Sequence, residues 1–465
     1  MNPRHRTVTC PTPAAPACNT WRIILLHRSA WLAVGLIVLH QAIIASSTYF
    51  LNRVITPFQA GGEYGPWLYL YLASMTIPYL PGCLSLYVMQ RWINQAHGAV
   101  VQFFIECLRD RTEVFRNAAL KERIGAALSS NALPVLRDHI TFVHDLISFT
   151  LNSVLSMLVI GLLLPSALMI GYISSLMLCT AIVLATRHLV SRASARYEGD
   201  YIRYASVLAR AWENLTLGNR HNERLWQQQR RDAATDFYGC ADRLQATRQI
   251  GNIVLAAASL LPTVYLILYV TQWGHADASV VAAIIVSLTR VFLVLNSLSA
   301  LVYKALDFSS VHSRLQVLLD AARSIPREGE NGLNLGGVVQ INGQAVAGIE
   351  EATRIIGAAH NGRLTITGAN GSGKSTILLA LKDRFKERSF LLPTQHHQLI
   401  WKADLSALSS GERTKASIAE LLQLDDVNLI LLDEWDANLD GPNREALDEL
   451  LDQCCLDRTI VEVRH

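Results

Sequence analysis

A chain of 465 residues that is 51% hydrophobic and only 17% charged, with a mean hydropathy of +0.24, is too apolar for an ordinary soluble enzyme, since soluble domains carry roughly 25% charged residues. A net charge of +3 is too small to argue for nucleic acid as a partner. Eight cysteines without a C-x-x-C or zinc-ligand spacing imply neither a disulfide framework nor a metal module. The charge deficit falls in the first 300 residues and signals membrane spans, and the length allows two or more domains.

Residues 1–28 form a tail that begins with Pro11, Pro13 and Pro16 and carries Arg4, Arg6, Arg22 and Arg28. Ser29 to Asn52 contains no charged residue, which is long for a cleaved secretory signal and suits a retained transmembrane helix. Further uncharged runs cover Tyr64 to Gln90 and Leu146 to Thr186, the latter long enough for two spans with a turn at Pro165. A fifth span fits Gln249 to Trp273, and a sixth fits Ala278 to Tyr303, interrupted by Arg290. Arginines and lysines crowd the tail and the stretches 91–141 and 187–248 but are nearly absent from the intervening loops. By the positive-inside rule both termini are cytoplasmic. Trp67, Tyr69 and Tyr71 read as an interfacial belt, His40 as a hydrogen-bonded structural histidine, and Arg290 as a cation facing a cavity or a partner helix.

The two long basic connections carry apolar residues at helical spacing, Phe104, Leu108 and Phe115 in the first and Leu208, Leu215 and Leu225 in the second. This predicts membrane helices that continue into the cytoplasm, with local breaks at Ser129-Ser130-Asn131, followed by Pro134, and at Leu217-Gly218-Asn219. The six-helix domain thus spans residues 29–323, a linker rich in glycine and asparagine occupies 324–335, and a soluble domain follows over 336–465.

Within that soluble domain Gly368-Ala369-Asn370-Gly371-Ser372-Gly373-Lys374-Ser375 fits G-x-x-x-x-G-K-[ST], between a short apolar strand around Leu364 and Ile366 and a helix starting near Thr376. Such a loop closes backbone N–H groups around phosphate oxygens, with Lys374 reaching the β- and γ-phosphates and Ser375 available to Mg²⁺. Leu429-Ile430-Leu431-Leu432 ends in Asp433-Glu434, a buried strand that delivers two carboxylates to the sheet edge where ligands bind. Asp433 suits Mg²⁺, and Glu434 suits polarising an attacking water.

Between these lies Leu408-Ser409-Ser410-Gly411-Glu412-Arg413, which resembles the signature motif of ATP-binding cassette (ABC) proteins, usually L-S-G-G-Q. Asp436-Ala437-Asn438-Leu439-Asp440 resembles the D-loop, Gln395 the Q-loop glutamine, and His465 the switch histidine of that family. With six spans ahead of this domain, the chain resembles a half-size ABC exporter over nearly all of residues 29–465. The resemblance implies an all-α membrane domain of six transmembrane helices with long cytoplasmic extensions, plus a C-terminal α/β P-loop NTPase domain. It implies ATP and Mg²⁺ as cofactors. Gly368, Asn370, Gly371, Gly373, Lys374, Ser375 and Thr376 would bind nucleotide, and Ser375, Asp433 and Gln395 the metal. Glu434, Gln395 and His465 would be catalytic, while Ser409 and Gly411 would complete the site of a second chain, so that a homodimer in the cytoplasmic membrane exports an unidentified substrate. The segments near 129–134 and 214–226 match the family's coupling helices, Glu213 to Gly218 more closely. A nucleotide-binding sensor or regulatory subunit with little turnover is the alternative.

Three departures stand out. The stretch from Gln395 to Ser409 is too short for the helical subdomain that family members insert there, the signature has Ser410 and Glu412 for glycine and glutamine, and Ser324 to Lys374 contains no Phe, Tyr or Trp to stack on adenine.

Overall fold

The computed structural model describes residues 27–59, 61–128, 132–163, 166–269, 314–325, 336–359, 361–394, 399–405, 408–437 and 439–464, with positions 292, 293, 296, 297, 304, 311 and 312. The tail before residue 27, the turn at Pro165, the break at 129–131 and most of the expected sixth span with Arg290 lie outside these residues. The helices are α1 (Arg28–Gln59), α2 (Gly65–Thr76), α3 (Tyr79–Leu108), α4 (Ala118–Ala126), α5 (Ala132–Leu163), α6 (Ser166–Ala209), α7 (Ala211–Thr216) and α8 (Arg220–Leu268). The C-terminal part holds β1 (Val339–Ile341), β2 (Gln344–Val346), α9 (Ile349–Ala358), β3 (Gly362–Gly368), α10 (Lys374–Phe385), β4 (Ser389–Leu392), α11 (Ser410–Leu421), β5 (Leu429–Asp433), α12 (Gly441–Cys454) and β6 (Thr459–Val463). The chain separates into two compact units, Met1–Gln102 with Ala127–Asp320, and Phe103–Ala126 with Ala321–His465.

Five helical stretches in the described residues are long and apolar enough to cross a membrane: Arg28–Gln59, Gly65–Leu108, Ala132–Val159, Ile173–Thr216 and Arg220–Leu268. Their outward faces are greasy, with Leu162, Tyr69, Tyr79 and Leu80 largely exposed, while small residues fill the helix contacts. On α1, Ala30, Ala33 and Ala45 are buried; this helix packs on α2 and α5, and Gln41 donates to Ser148 at 2.9 Å. Small side chains let apolar helices approach closely, and the amide–hydroxyl pair satisfies polar groups that lipid cannot. His40 Nδ1 donates to the Pro78 carbonyl at 2.7 Å. Gly82 leaves room for that imidazole, since a Cβ there would sit 3.0 Å from its ring. Arg53 lies over the rings of Tyr49 and Trp67, 5.4 and 5.7 Å from their centroids.

α6 and α8 continue well past their uncharged runs and pack along each other. The short α7 lies between them. Asn219 then starts α8 by accepting from the His221 and Asn222 N–H groups at 2.8 and 3.2 Å, as an N-cap does. The first connection differs from its expectation. Phe104, Leu108 and Phe115 do not share one helix, because α3 ends at Leu108 and Asp110 adopts a left-handed conformation with φ 59°, which aspartate tolerates better than most residues. A short 3₁₀ turn, Thr112–Val114, follows. Asn117 then accepts from the Leu120 N–H at 3.0 Å as α4 begins.

The second unit is built on a six-stranded sheet of order β2-β1-β3-β6-β5-β4. β3, β6, β5 and β4 run parallel, and β1 is antiparallel to both β2 and β3. The run Leu429 to Leu432 is apolar at every position because both faces are covered. Leu429 and Leu431 join Ile366, Ile377, Leu381 and Val461 on one side. Ile430 and Leu432 join Ile418, Leu447, Leu451 and Ile460 on the other. The parallel strands thereby bring the C-terminal ends of β3 and β5 close together across β6.

Candidate nucleotide site

The loop 369–373 leaves β3 and enters α10 through two left-handed glycines, Gly371 at φ 81° and Gly373 at φ 106°. Side chains other than glycine are strained there, so these glycines are a geometric requirement. The N–H end of α10 consequently faces a cavity of about 610 Å³ bordered by Asn370, Gly371, Gly373, Lys374, Ser375 and Thr376, with Glu434 and Arg116 at its walls. A helix N-terminus and backbone N–H groups together favour an anion. Lys374 Nζ folds back to donate to the Gly368 and Ala369 carbonyls at 2.8 and 3.3 Å. Ser372 Oγ is buried without a hydrogen-bond partner.

Across the cavity, Ser375 Oγ donates to Asp433 Oδ1 at 3.1 Å, and Thr394 Oγ1 donates to the Asp433 carbonyl at 3.2 Å. Burial raises the Asp433 carboxyl above its ordinary range, opposed by the Ser375 hydrogen bond and reinforced by the neighbouring Glu434 charge; Arg116 and Lys374 act to lower it. One carboxylate beside one hydroxyl is the donor set of a Mg²⁺ ion that shares its coordination with phosphates and water. No cluster of three or more His, Cys, Asp or Glu occurs among the described residues. Glu434 itself has φ 44°, a conformation that costs a non-glycine residue energy and that clusters at functional sites. Its N–H donates to the Val463 carbonyl at 2.9 Å, tying it to β6.

Behind Glu434 sits a buried charge network that no motif in the chain predicts. Glu462, on β6, accepts from Arg363 Nε and Nη2 at 3.0 and 2.9 Å, from Trp435 Nε1 at 3.1 Å and from Arg464 Nε at 2.9 Å. Arg363 also reaches Asp448 and Asp452 at 2.5 and 2.6 Å, and Arg464 pairs with Asp448 as well. Trp435 follows Glu434, so the network holds the segment just after the acid pair. Its one sequence signal was an acid inside an apolar strand, Ile460-Val461-Glu462-Val463.

Ser409 is the N-cap of α11. Its hydroxyl accepts from the Glu412 N–H at 3.4 Å and donates to Glu412 Oε2 at 2.7 Å, while the Ser409 N–H donates to the same carboxylate at 3.0 Å. This is a capping box, which gives the glutamate at 412 a local structural role. The two Ser409 hydrogen bonds hold the Glu412 carboxyl below its ordinary range. Gly411 lies in the first turn of α11. No helix occurs between β4 and α11 among the described residues. Gln395 and His465 lie outside them, as does Asn438. The structure therefore gathers Asn370, Gly371, Gly373, Lys374, Ser375, Thr376 and Glu434 around one cavity, with Asp433 joined to it through its hydrogen bond from Ser375. Ser409 and Gly411 stand at the start of α11 and do not border it. Arg116, from the first connection, was missed because nothing in its local sequence marks it.

In the first unit a separate cavity of about 910 Å³ is bordered by Arg137, Arg248, Lys304 and Arg314 with Asp138 and Asp242. Arg314 pairs with Asp138 at 3.2 Å, and Lys304 pairs with Asp145.

The sequence matches no known protein family profile and no curated protein. Among solved structures, it is similar to a bacterial Atm1-family ABC exporter with ATP bound, at 13% identity and a TM-score of 0.66, over 95% of this chain and 91% of that one. Five membrane-length helices and a mixed sheet carrying a glycine-rich strand–loop–helix thus share the fold of an ABC exporter.

Proposed function

We propose that the chain is a membrane-embedded ATPase that drives export of a substrate, working as a dimer of half-transporters with its nucleotide domain and both termini in the cytoplasm. The observation that carries this reading is that Lys374, Ser375 and Glu434 border one cavity, with Asp433 hydrogen-bonded to Ser375, at the C-terminal edge of a parallel sheet. ATP phosphates would lie on the loop N–H groups of 370–376. Lys374 would exchange its carbonyl acceptors for phosphate oxygens, and Ser375 and Asp433, with Gln395, would hold Mg²⁺. When bound, that ion supplies charge neutralisation across the β- and γ-phosphates. Glu434 would orient and polarise the attacking water, with His465 assisting. Ser409 and Gly411 of a second chain would close over the γ-phosphate. A chain with one set of these motifs needs a partner to complete each site.

The reading of the chain as a nucleotide sensor with little turnover is favoured by one observation, the short stretch of sequence from Gln395 to Ser409.

The test is ATP hydrolysis by the purified chain in lipid, wild type against Glu434→Gln. Loss of a general base costs about 10²–10⁴-fold. A wild-type rate that Glu434→Gln leaves unchanged refutes the engine reading. Nucleotide binding without turnover selects the sensor. A vesicle uptake screen with Lys374→Ala as control then addresses the substrate.

A further inference from the structure

Arg116 sits in the turn between the 3₁₀ segment Thr112–Val114 and α4. It is far in sequence from the phosphate loop but belongs to the same compact unit. Its Nη1 donates to Thr376 Oγ1 at 2.7 Å, and it borders the cavity formed by Gly371, Gly373, Lys374, Ser375 and Thr376. Thr376 is buried and Arg116 exposed, so the arginine covers the rim of the site. Among the described residues the guanidinium has no carboxylate partner. A neutral hydroxyl takes one of its five donors, and the remaining donors border a cavity already shaped for an anion. The turn that presents it is fixed on both sides, by the left-handed Asp110 and by the Asn117 cap on α4.

We propose that Arg116 is a phosphate ligand of the nucleotide site, a second cation beside Lys374 that engages the phosphate nearest Thr376. The proposal rests on the nucleotide reading above and deepens it. A guanidinium suits phosphate oxygens because its planar fork can donate two parallel hydrogen bonds. Such a contact also suits a chain in which Ser324 to Lys374 contains no aromatic residue to stack on a base. It also gives residues 109–117 a direct chemical stake in whether nucleotide is present.

The experiment is equilibrium binding of a fluorescent ATP analogue to the full chain in lipid nanodiscs, with unlabelled ATP, ADP and inorganic tripolyphosphate as competitors. The proteins are wild type, Arg116→Ala, Arg116→Lys and Lys374→Ala. A charge-assisted phosphate contact at an exposed site predicts about tenfold weaker binding in Arg116→Ala, equal for ATP and tripolyphosphate because the base is not involved. Arg116→Lys recovers part of the loss, and the salt dependence of binding becomes shallower in Arg116→Ala. The nucleotide-free melting temperature of Arg116→Ala stays at the wild-type value. Binding in Arg116→Ala within twofold of wild type, while Lys374→Ala abolishes it, overturns the role of Arg116 and leaves the nucleotide reading standing. A melting temperature lowered in Arg116→Ala, with ATP and tripolyphosphate affected unequally, makes Arg116 a structural strut and overturns the proposal too. Wild-type binding that does not depend on Lys374 overturns the nucleotide reading itself.

Discussion

Replacing Glu462 with glutamine keeps the volume and one acceptor oxygen but removes the charge at the centre of the buried network. Glu462 is 1% exposed and Arg363 14% exposed. In the variant an amide N–H₂ faces guanidinium donors: in place of Oε2 it leaves Arg363 Nη2 and Trp435 Nε1 without their acceptor, and in place of Oε1 it leaves Arg363 Nε and Arg464 Nε without theirs. Breaking one side of a buried pair costs about 3–5 kcal/mol. Arg363 retains Asp448 and Asp452, which reduces the cost to roughly 2–3 kcal/mol, about that of a buried charge-assisted hydrogen bond. For a unit of this size that lowers the melting temperature by about 5–10 °C. Thermal unfolding of the full chain in detergent, followed by tryptophan fluorescence, measures it directly, since Trp435 is part of the network. A Glu462→Gln protein that melts within a degree of wild type would refute the network as a source of stability.

Two further substitutions test the site from other directions. Asp433→Asn should raise the nucleotide-free melting temperature at neutral pH, because burial lifts the folded-state carboxyl above its unfolded value and the ionised form therefore costs stability. That gain should be largest above the folded value and shrink as the pH falls toward the unfolded one, while Mg²⁺-dependent nucleotide binding is lost; an advantage independent of pH would contradict the assignment. Ser409→Ala should cost about 1 kcal/mol through the lost cap, whereas Glu412→Gln, which can still accept from the Ser409 N–H, should cost less. Equal melting temperatures for Ser409→Ala and wild type would argue against the capping box.

The glycine loop, the apolar strand ending in Asp433-Glu434 and the membrane-length helices were legible because each depends on a local rule: φ above zero at Gly371 and Gly373, burial on both faces of β5, and hydrocarbon thickness for α1. Other features depend on contacts between distant residues. The spacing of Phe104, Leu108 and Phe115 satisfies a helical period, but the backbone of Asp110 breaks the helix, and periodicity of apolar residues does not register one left-handed residue. Glu412 looked like a loss at a signature position, although S-x-x-E is itself a helix-start pattern that explains it. Arg116 and the Glu462 network were illegible because their partners, Thr376, Arg363 and Trp435, are brought to them by the fold alone.

The compact unit that holds the sheet also includes Phe103–Ala126. The turn at Thr112–Val114 packs against α10, and Arg116 borders the cavity. A fragment beginning at Gly336 would therefore carry every recognisable nucleotide motif and still lack one wall of the nucleotide site. For the same reason, exchanging residues 103–126 for another sequence would replace Arg116 and, on the proposal above, alter nucleotide affinity while leaving every strand of the sheet unchanged.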